Sequence, residues 1–147
     1  MTENAMTEQM QLGQSVLAAQ PFSALIGAEL IQFASGHAEI RIPIVERLKQ
    51  QHGFVHGGVL SYAADNALTF AGGSVLGPQV VTSEFKINYL RPALGDHLLA
   101  RAVVVHAGKN QAVCRCDIFA IDEEGERLCA TAQGTISRLG QSPAEST

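Results

Sequence analysis

Val59-Leu60-Ser61-Tyr62-Ala63-Ala64-Asp65-Asn66-Ala67-Leu68-Thr69-Phe70-Ala71 is helix-compatible throughout, contains no proline and carries a single charge, Asp65. A helix that is apolar nearly all round is a buried helix. Gly72-Gly73 follows, and the pair predicts a stop there, because glycine enters the left-handed cap conformation without steric cost. On both sides of this segment the hydrophobic period changes to two. Upstream, Ala28 to Ala34 reads as a strand, Ser35-Gly36 as a turn, and His37 to Ile44 as a second strand. Ala38, Ile40, Ile42 and Ile44 share one face of that second strand, with His37, Glu39 and Arg41 on the other.

Downstream the alternation continues to the end of the ordered sequence. Val81, Ser83, Phe85, Ile87 and Tyr89 oppose Thr82, Glu84, Lys86 and Asn88. A strand over Leu98 to Ala107 leads to a Gly108-Lys109-Asn110 turn. In the next strand Ala112, Cys114, Cys116, Ile118 and Ala120 share a face, and after the turn at Asp122 to Gly125 so do Leu128, Ala130, Ala132, Gly134 and Ile136. Two strands, a buried helix and four strands joined by tight turns specify an α+β fold, an antiparallel sheet with a helix against one face. One sheet face does not surround a helix, so the uncharged helix predicts that a second subunit completes its burial. At the N-terminus, Thr7-Glu8 followed by Met10, Leu12, Val16 and Leu17 predicts a short helix stopped by Pro21. The expected organisation is an N-terminal helix or extension over 1–20, one domain over 21–139 and a disordered tail over 140–147.

Composition narrows the function. The chain has 147 residues, one domain's worth, with 16% charged residues and a net charge of −4. A soluble domain usually carries about 25% charge, so part of this surface is expected to be covered by something other than water. An acidic balance without a Lys/Arg run excludes nucleic-acid and anionic-membrane binding, which require a basic face. Prolines and glycines interrupt the longest uncharged runs, so no membrane span is expected. The N-terminal acids Glu3 and Glu8 lack the basic flank of a signal peptide, and the expected location is cytoplasmic. Cys114, Cys116 and Cys129 lack metal or redox spacing and read as reduced core thiols.

The chemistry-bearing residues lie together. Gln50-Gln51-His52-Gly53-Phe54-Val55-His56-Gly57-Gly58 runs into the helix that holds Asp65. A lone carboxylate in an apolar helix requires partners. Glycines allow a ligand close to the backbone, and the free amides of a first helical turn suit an oxyanion. His56 either contacts a leaving group or caps the turn. His52 and His56 are four apart, but the glycines between and after them break the helix that a metal pair would need, so no metal is expected. Gly72-Gly73-Ser74-Val75-Leu76 lacks the last glycine of a GxSxG elbow, and no phosphate-loop or dinucleotide pattern occurs.

His56-Gly57-Gly58, six residues, then Asp65-Asn66, together with Phe85-Lys86-Ile87-Asn88-Tyr89-Leu90-Arg91-Pro92 and the Gly108-Lys109 turn, resembles the hotdog-fold acyl-CoA thioesterases of the phenylacetate-pathway (PaaI-like) branch over Phe22 to Leu139. The resemblance implies a sheet wrapped around a central helix, and hydrolysis of an acyl- or aryl-CoA to a carboxylic acid and free CoA without a cofactor. It implies that Asp65 is the nucleophile or general base, that the Gly57 amide polarises the carbonyl and that His56 lies near the departing thiol. Gly58 would line the substrate. Where the family has Asn this chain has Gln50, with Gln51 adjacent, and where the family has a water-positioning Ser it has Thr82. Arg91 and Lys109 are candidates for the CoA phosphates. Family members are dimers paired into tetramers, with the Asp and the glycine amide from different subunits, and the charge-poor stretch Val59 to Ser83 is what such dimers bury. A binding module that holds acyl-CoA without cleaving it is the alternative, and a hotdog dehydratase is a third. Phe54, Tyr62, Leu68 and Phe70 suit an aryl or a medium-chain pocket equally.

Overall fold

The computed structural model describes residues 2–140. Thr2 caps the first helix, α1 (Glu3–Ala18), through its hydroxyl oxygen, which accepts from the Ala5 N–H at 3.2 Å. The helix thus begins five residues before Thr7-Glu8, the expected start. Pro21 does not simply end it. It opens a second helix, α2 (Pro21–Ile26), at the first position, where its missing N–H costs nothing. Gly27 closes α2 at φ 85°. Of the expected 140–147 tail, all but Gly140 lies outside the described residues.

Six strands follow: β1 (Glu29–Ala34), β2 (His37–Pro43), β3 (Val80–Tyr89), β4 (His97–Ala107), β5 (Gln111–Asp122) and β6 (Gly125–Arg138). They form one sheet in the order β1-β2-β4-β5-β6-β3, with every neighbouring pair antiparallel. The tight-turn reading holds for β4-β5-β6 but not for β3 to β4. β3 pairs with β6 at the far edge, so Leu90–Asp96 crosses the end of the sheet.

The long helix α3 (Gly57–Leu76) packs against all six strands. Ala63, Ala64, Ala67, Leu68 and Ala71 are fully buried, against Ile40, Ile42, Cys114, Cys116, Ile118 and Ile136 of the sheet. A single sheet therefore covers most of α3 and leaves part of its surface half-open. What remains half-open is a narrow stripe, Ser61, Asp65, Thr69 and Gly73, at helical spacing.

The expected stop at Gly72-Gly73 is overturned as well: α3 runs through both and ends at Gly77, φ 101°. Gly72 is there for close approach. A Cβ at this position would lie 2.6 Å from Ile136 Cβ. We predict that Gly72→Val lowers the unfolding free energy by about 1–3 kcal/mol through overpacking, despite the gain in helix propensity; a urea titration measures it. Beyond the last turn, the Arg138 guanidinium donates from Nε and from a terminal nitrogen to Leu76 O, satisfying a carbonyl the helix leaves open.

Two bulges correct the sequence reading of which residues face inward. In β3 the register shifts between Thr82 and Glu84, so Val80 and Thr82 face inward before the bulge while Phe85 and Ile87 do so after it. Val81 and Ser83, expected on the inner face, are exposed. In β6 the register slips where Ile118 and Phe119 oppose Ala130 and Leu128. The extra residue, Cys129, turns inward in place of Leu128, which is 37% exposed. All three cysteines are free and buried, and burial pushes the Cys114 thiol up to about 11. On the outer face of the sheet, Arg101 bridges Glu39 and Glu126 and holds the Glu126 carboxyl below its ordinary value.

Candidate active site

Two clusters lie along α3. The first surrounds its N-terminus. His56 is the N-cap residue, and its Nδ1 accepts from the Gly58 N–H at 2.8 Å. A neutral imidazole that accepts at Nδ1 carries its proton on Nε2, so the ring presents an N–H on its far side. Of the two readings of His56 left open by the sequence, capping is observed. Gly58 lines the cleft, but its amide is engaged by His56, and a Cβ there would lie 3.0 Å from the same Nδ1. The Gly57 amide is different: among the described residues it has no acceptor. It is one of the unpaired first-turn donors at the positive end of the helix dipole.

Tyr89, at the end of β3, lies over Gly57. Its ring is 3.4 Å from where a Gly57 Cβ would be, and its hydroxyl bonds Ser61 Oγ at 2.5 Å and donates to Gly57 O at 3.2 Å. The sequence reading placed Tyr89 in a strand and gave it no role. Its contact with Gly57 spans 32 residues, and no local pattern reports it. An open cleft of about 610 Å³ faces this turn, lined by Phe54, His56, Gly57, Gly58, Tyr89 and Arg91 among others.

The second cluster centres on Asp65. The Thr82 hydroxyl donates to Asp65 Oδ1 at 2.6 Å, and the β3 bulge is what turns Thr82 inward to do so. Thr69, one turn further along α3, donates to Asp65 O at 2.8 Å, and its Oγ1 lies 2.8 Å from Thr82 Oγ1. Its i+4 spacing from Asp65 was the available signal. Asn66 points elsewhere, into a buried network with Gln20, Ser23 and Tyr62 that ties α2 to α3.

The structure thus brings Asp65 to Thr82, and His56, Gly57 and Gly58 to Arg91. It does not bring Gln50 to either group: its Oε1 accepts from the His52 N–H within a turn closed by the Lys49–Val55 bridge. Gln51 is exposed. Lys109 lies in another cleft, with His106, Asn110 and Arg138. Of the expected pocket residues, Phe54 lines the N-terminal cleft, Phe70 a cavity between α1 and α3, and Leu68 is core. Among the described residues no helix is long and apolar enough to cross a membrane, and no three His, Cys, Asp or Glu side chains are grouped to hold a metal ion.

A long helix cradled by a six-stranded antiparallel sheet is the hotdog architecture. The chain belongs to the thioesterase superfamily, whose family model matches residues 52–127. It is 32% identical over 116 residues to the acyl-coenzyme A thioesterase PaaI of Escherichia coli, covering 78% of this chain and 80% of that one. It is 26% identical over 114 residues to the 1,4-dihydroxy-2-naphthoyl-CoA hydrolase of Listeria monocytogenes, covering 76% and 90%. The crystal structure of a thioesterase family protein from Silicibacter pomeroyi superposes with a TM-score of 0.84 at 34% identity, covering 89% of this chain and 98% of that one.

Proposed function

We propose that the protein is a cytoplasmic acyl-CoA thioesterase, acting as a homo-oligomer, in which Asp65 drives attack on the thioester and the Gly57 amide holds the carbonyl oxygen. The observation that carries the reading is the Thr82–Asp65 hydrogen bond at 2.6 Å on the open stripe of α3. With Oδ1 held by Thr82, Oδ2 is left to face substrate. Hydrolysis then runs by one of two routes. As general base, Asp65 takes a proton from water whose oxygen attacks the carbonyl carbon. As nucleophile, Oδ2 itself attacks, giving an anhydride that water opens. In both, the carbonyl oxygen becomes an oxyanion, the C–S bond breaks, and the CoA thiolate takes a proton on departure. An amide dipole preorganised at that oxygen stabilises the charge as it forms. In the first single turnover in ¹⁸O-water, unlabelled acid marks the nucleophilic route with the anhydride opened at the Asp65 carboxyl carbon, whereas labelled acid marks water attack at the acyl carbon.

Spacing supports the oligomer. Gly57 and Asp65 are eight residues apart on one helix, about 12 Å along its axis. One carbonyl group does not span that distance, so Asp65 of one copy is proposed to work with Gly57 of another. His56 Nε2–H would face the leaving sulfur. Arg91 beside one copy's Gly57 and Lys109 from a partner would take the CoA phosphates, with Gly58 lining the cleft. Gln50, whose side chain accepts from the His52 N–H, is given no part in either route.

Thiol release from a panel of acyl- and aryl-CoAs tests the function. Binding of every member with release from none would leave an acyl-CoA-binding module instead. Thr82→Val keeps the shape of the side chain and removes the hydroxyl. Loss of a hydrogen bond to a charged group is worth about 1.5–3 kcal/mol, so kcat is expected to fall by about tenfold or more with KM little changed, measured by steady-state thiol release.

A further inference from the structure

We infer that Thr69 is a positioning residue that holds the Thr82 hydroxyl in place and aims its proton at Asp65; this rests on the thioesterase reading above. Asp65 and Thr69 are one turn apart on the half-open stripe of α3, and Thr82 meets both from β3. Thr82 Oγ1 lies 2.6 Å from Asp65 Oδ1 and 2.8 Å from Thr69 Oγ1. A hydroxyl carries one proton and rotates to suit its surroundings. Thr82 therefore has two acceptors to choose between, and only one choice serves the carboxylate. Its own strand does little to decide the matter, because within one chain β3 is an edge strand and its register shifts immediately after Thr82.

Thr69 supplies what the strand lacks. Its single proton is 2.8 Å, oxygen to oxygen, from two acceptors, Asp65 O and Thr82 Oγ1. Asp65 O does not depend on that proton, since α3 runs unbroken to Leu76 and the carbonyl belongs to its ladder of backbone bonds. The contact with Asp65 O instead fixes where Thr69 Oγ1 sits, because a helical threonine that reaches back four residues is confined to the rotamer that makes the bond. From that fixed place the proton is available to Thr82 Oγ1. An ionised carboxylate only accepts, so the order in which Thr69 donates to Thr82 and Thr82 donates to Asp65 Oδ1 is the one that meets the charge. Each bond in such a chain strengthens the next. The reverse order, with Thr82 donating to Thr69, would leave Oδ1 without this donor. Thr69 touches no reacting atom, and its effect on turnover passes entirely through Thr82.

A double-mutant cycle on kcat tests this, with Thr69→Val removing the hydroxyl at constant shape, Thr69→Ser keeping it and Thr82→Val removing its target. In Thr69→Val, kcat is expected to fall about three- to tenfold with KM little changed, and Thr69→Ser is expected to restore most of the loss. Added to Thr82→Val, the same Thr69→Val change is expected to cost nothing further, because residues that act through one contact are not additive. A fall by the same factor in both backgrounds, or Thr69→Val turnover equal to wild type, overturns the inference. Thr69→Ala takes the place of Thr69→Val in the cycle if circular dichroism shows the valine variant unfolded. A second readout needs no turnover: three-bond couplings to the Thr82 methyl carbon report its χ1. One rotamer is expected in wild type and in Thr69→Ser, and averaging between rotamers in Thr69→Val; a single rotamer in all three overturns the inference. If wild type hydrolyses no thioester, the thioesterase reading fails by itself, and these couplings still decide whether Thr69 holds Thr82.

Discussion

With Asp65→Asn, kcat falls by about 10³-fold or more on any thioester the wild-type enzyme accepts, because a positioned base or nucleophile is removed while its shape is kept. The asparagine carbonyl still accepts the Thr82 hydrogen bond at the Oδ1 position. Folding and assembly should therefore be preserved, and circular dichroism and the mass of the oligomer by light scattering check this. An amide neither takes a proton from water nor attacks a thioester at neutral pH, so the loss should fall on kcat and leave substrate affinity nearly intact. Asp65→Asn activity within tenfold of wild type would remove the carboxylate from the mechanism.

Gly57→Pro tests the other half of the site: it removes the N–H and adds a ring whose Cβ would lie in van der Waals contact with Tyr89, 3.4 Å away. Gly57 is the first residue of α3, the helix position most tolerant of proline. His56 before it sits at φ −60° and ψ 135°, the extended conformation that a following proline favours. The helix should start unchanged, with the His56–Gly58 cap in place. If the Gly57 N–H holds the developing oxyanion, its loss costs about 10²–10³ in kcat, the penalty for one such donor. A control distinguishes this from disturbance of the cleft: Tyr89→Phe removes the hydroxyl contacts to Gly57 O and Ser61 but leaves the amide, and should cost much less. Equal losses in the two variants would assign the effect to packing over the first turn.

Much of this was legible in the chain. Asp65 could be singled out because one charge in an apolar helix breaks an otherwise uniform rule, and β5 could be read residue by residue because its alternation is unbroken: Ala112, Cys114, Cys116, Ile118 and Ala120 are all buried. The misreadings share a physical cause. At Thr82/Glu84 and at Cys129, one extra residue inverts the alternation, and an extra residue is invisible to a periodicity of two until the partner strand is known. Gly72 reads as local punctuation, whereas the structure sets it against Ile136, more than sixty residues away. Tyr89 over Gly57 is hidden in the same way, since its contact comes from a neighbour that only the fold supplies.

The bulge in β3 also bears on how the site tolerates sequence change. The carboxylate accepts from a hydroxyl on the inward face of that strand, and which residue number supplies it depends on where the strand carries its extra residue. Here the inward position falls to Thr82, while Ser83 faces out and bonds Ser137. Moving the bulge toward the strand's start would exchange the two, and the chain already holds a second hydroxyl in the adjacent place. Two consecutive hydroxyl residues at 82 and 83 thus make the Asp65 partner insensitive to a slip of one residue, a fault that in most half-buried strands would turn a functional side chain out into solvent.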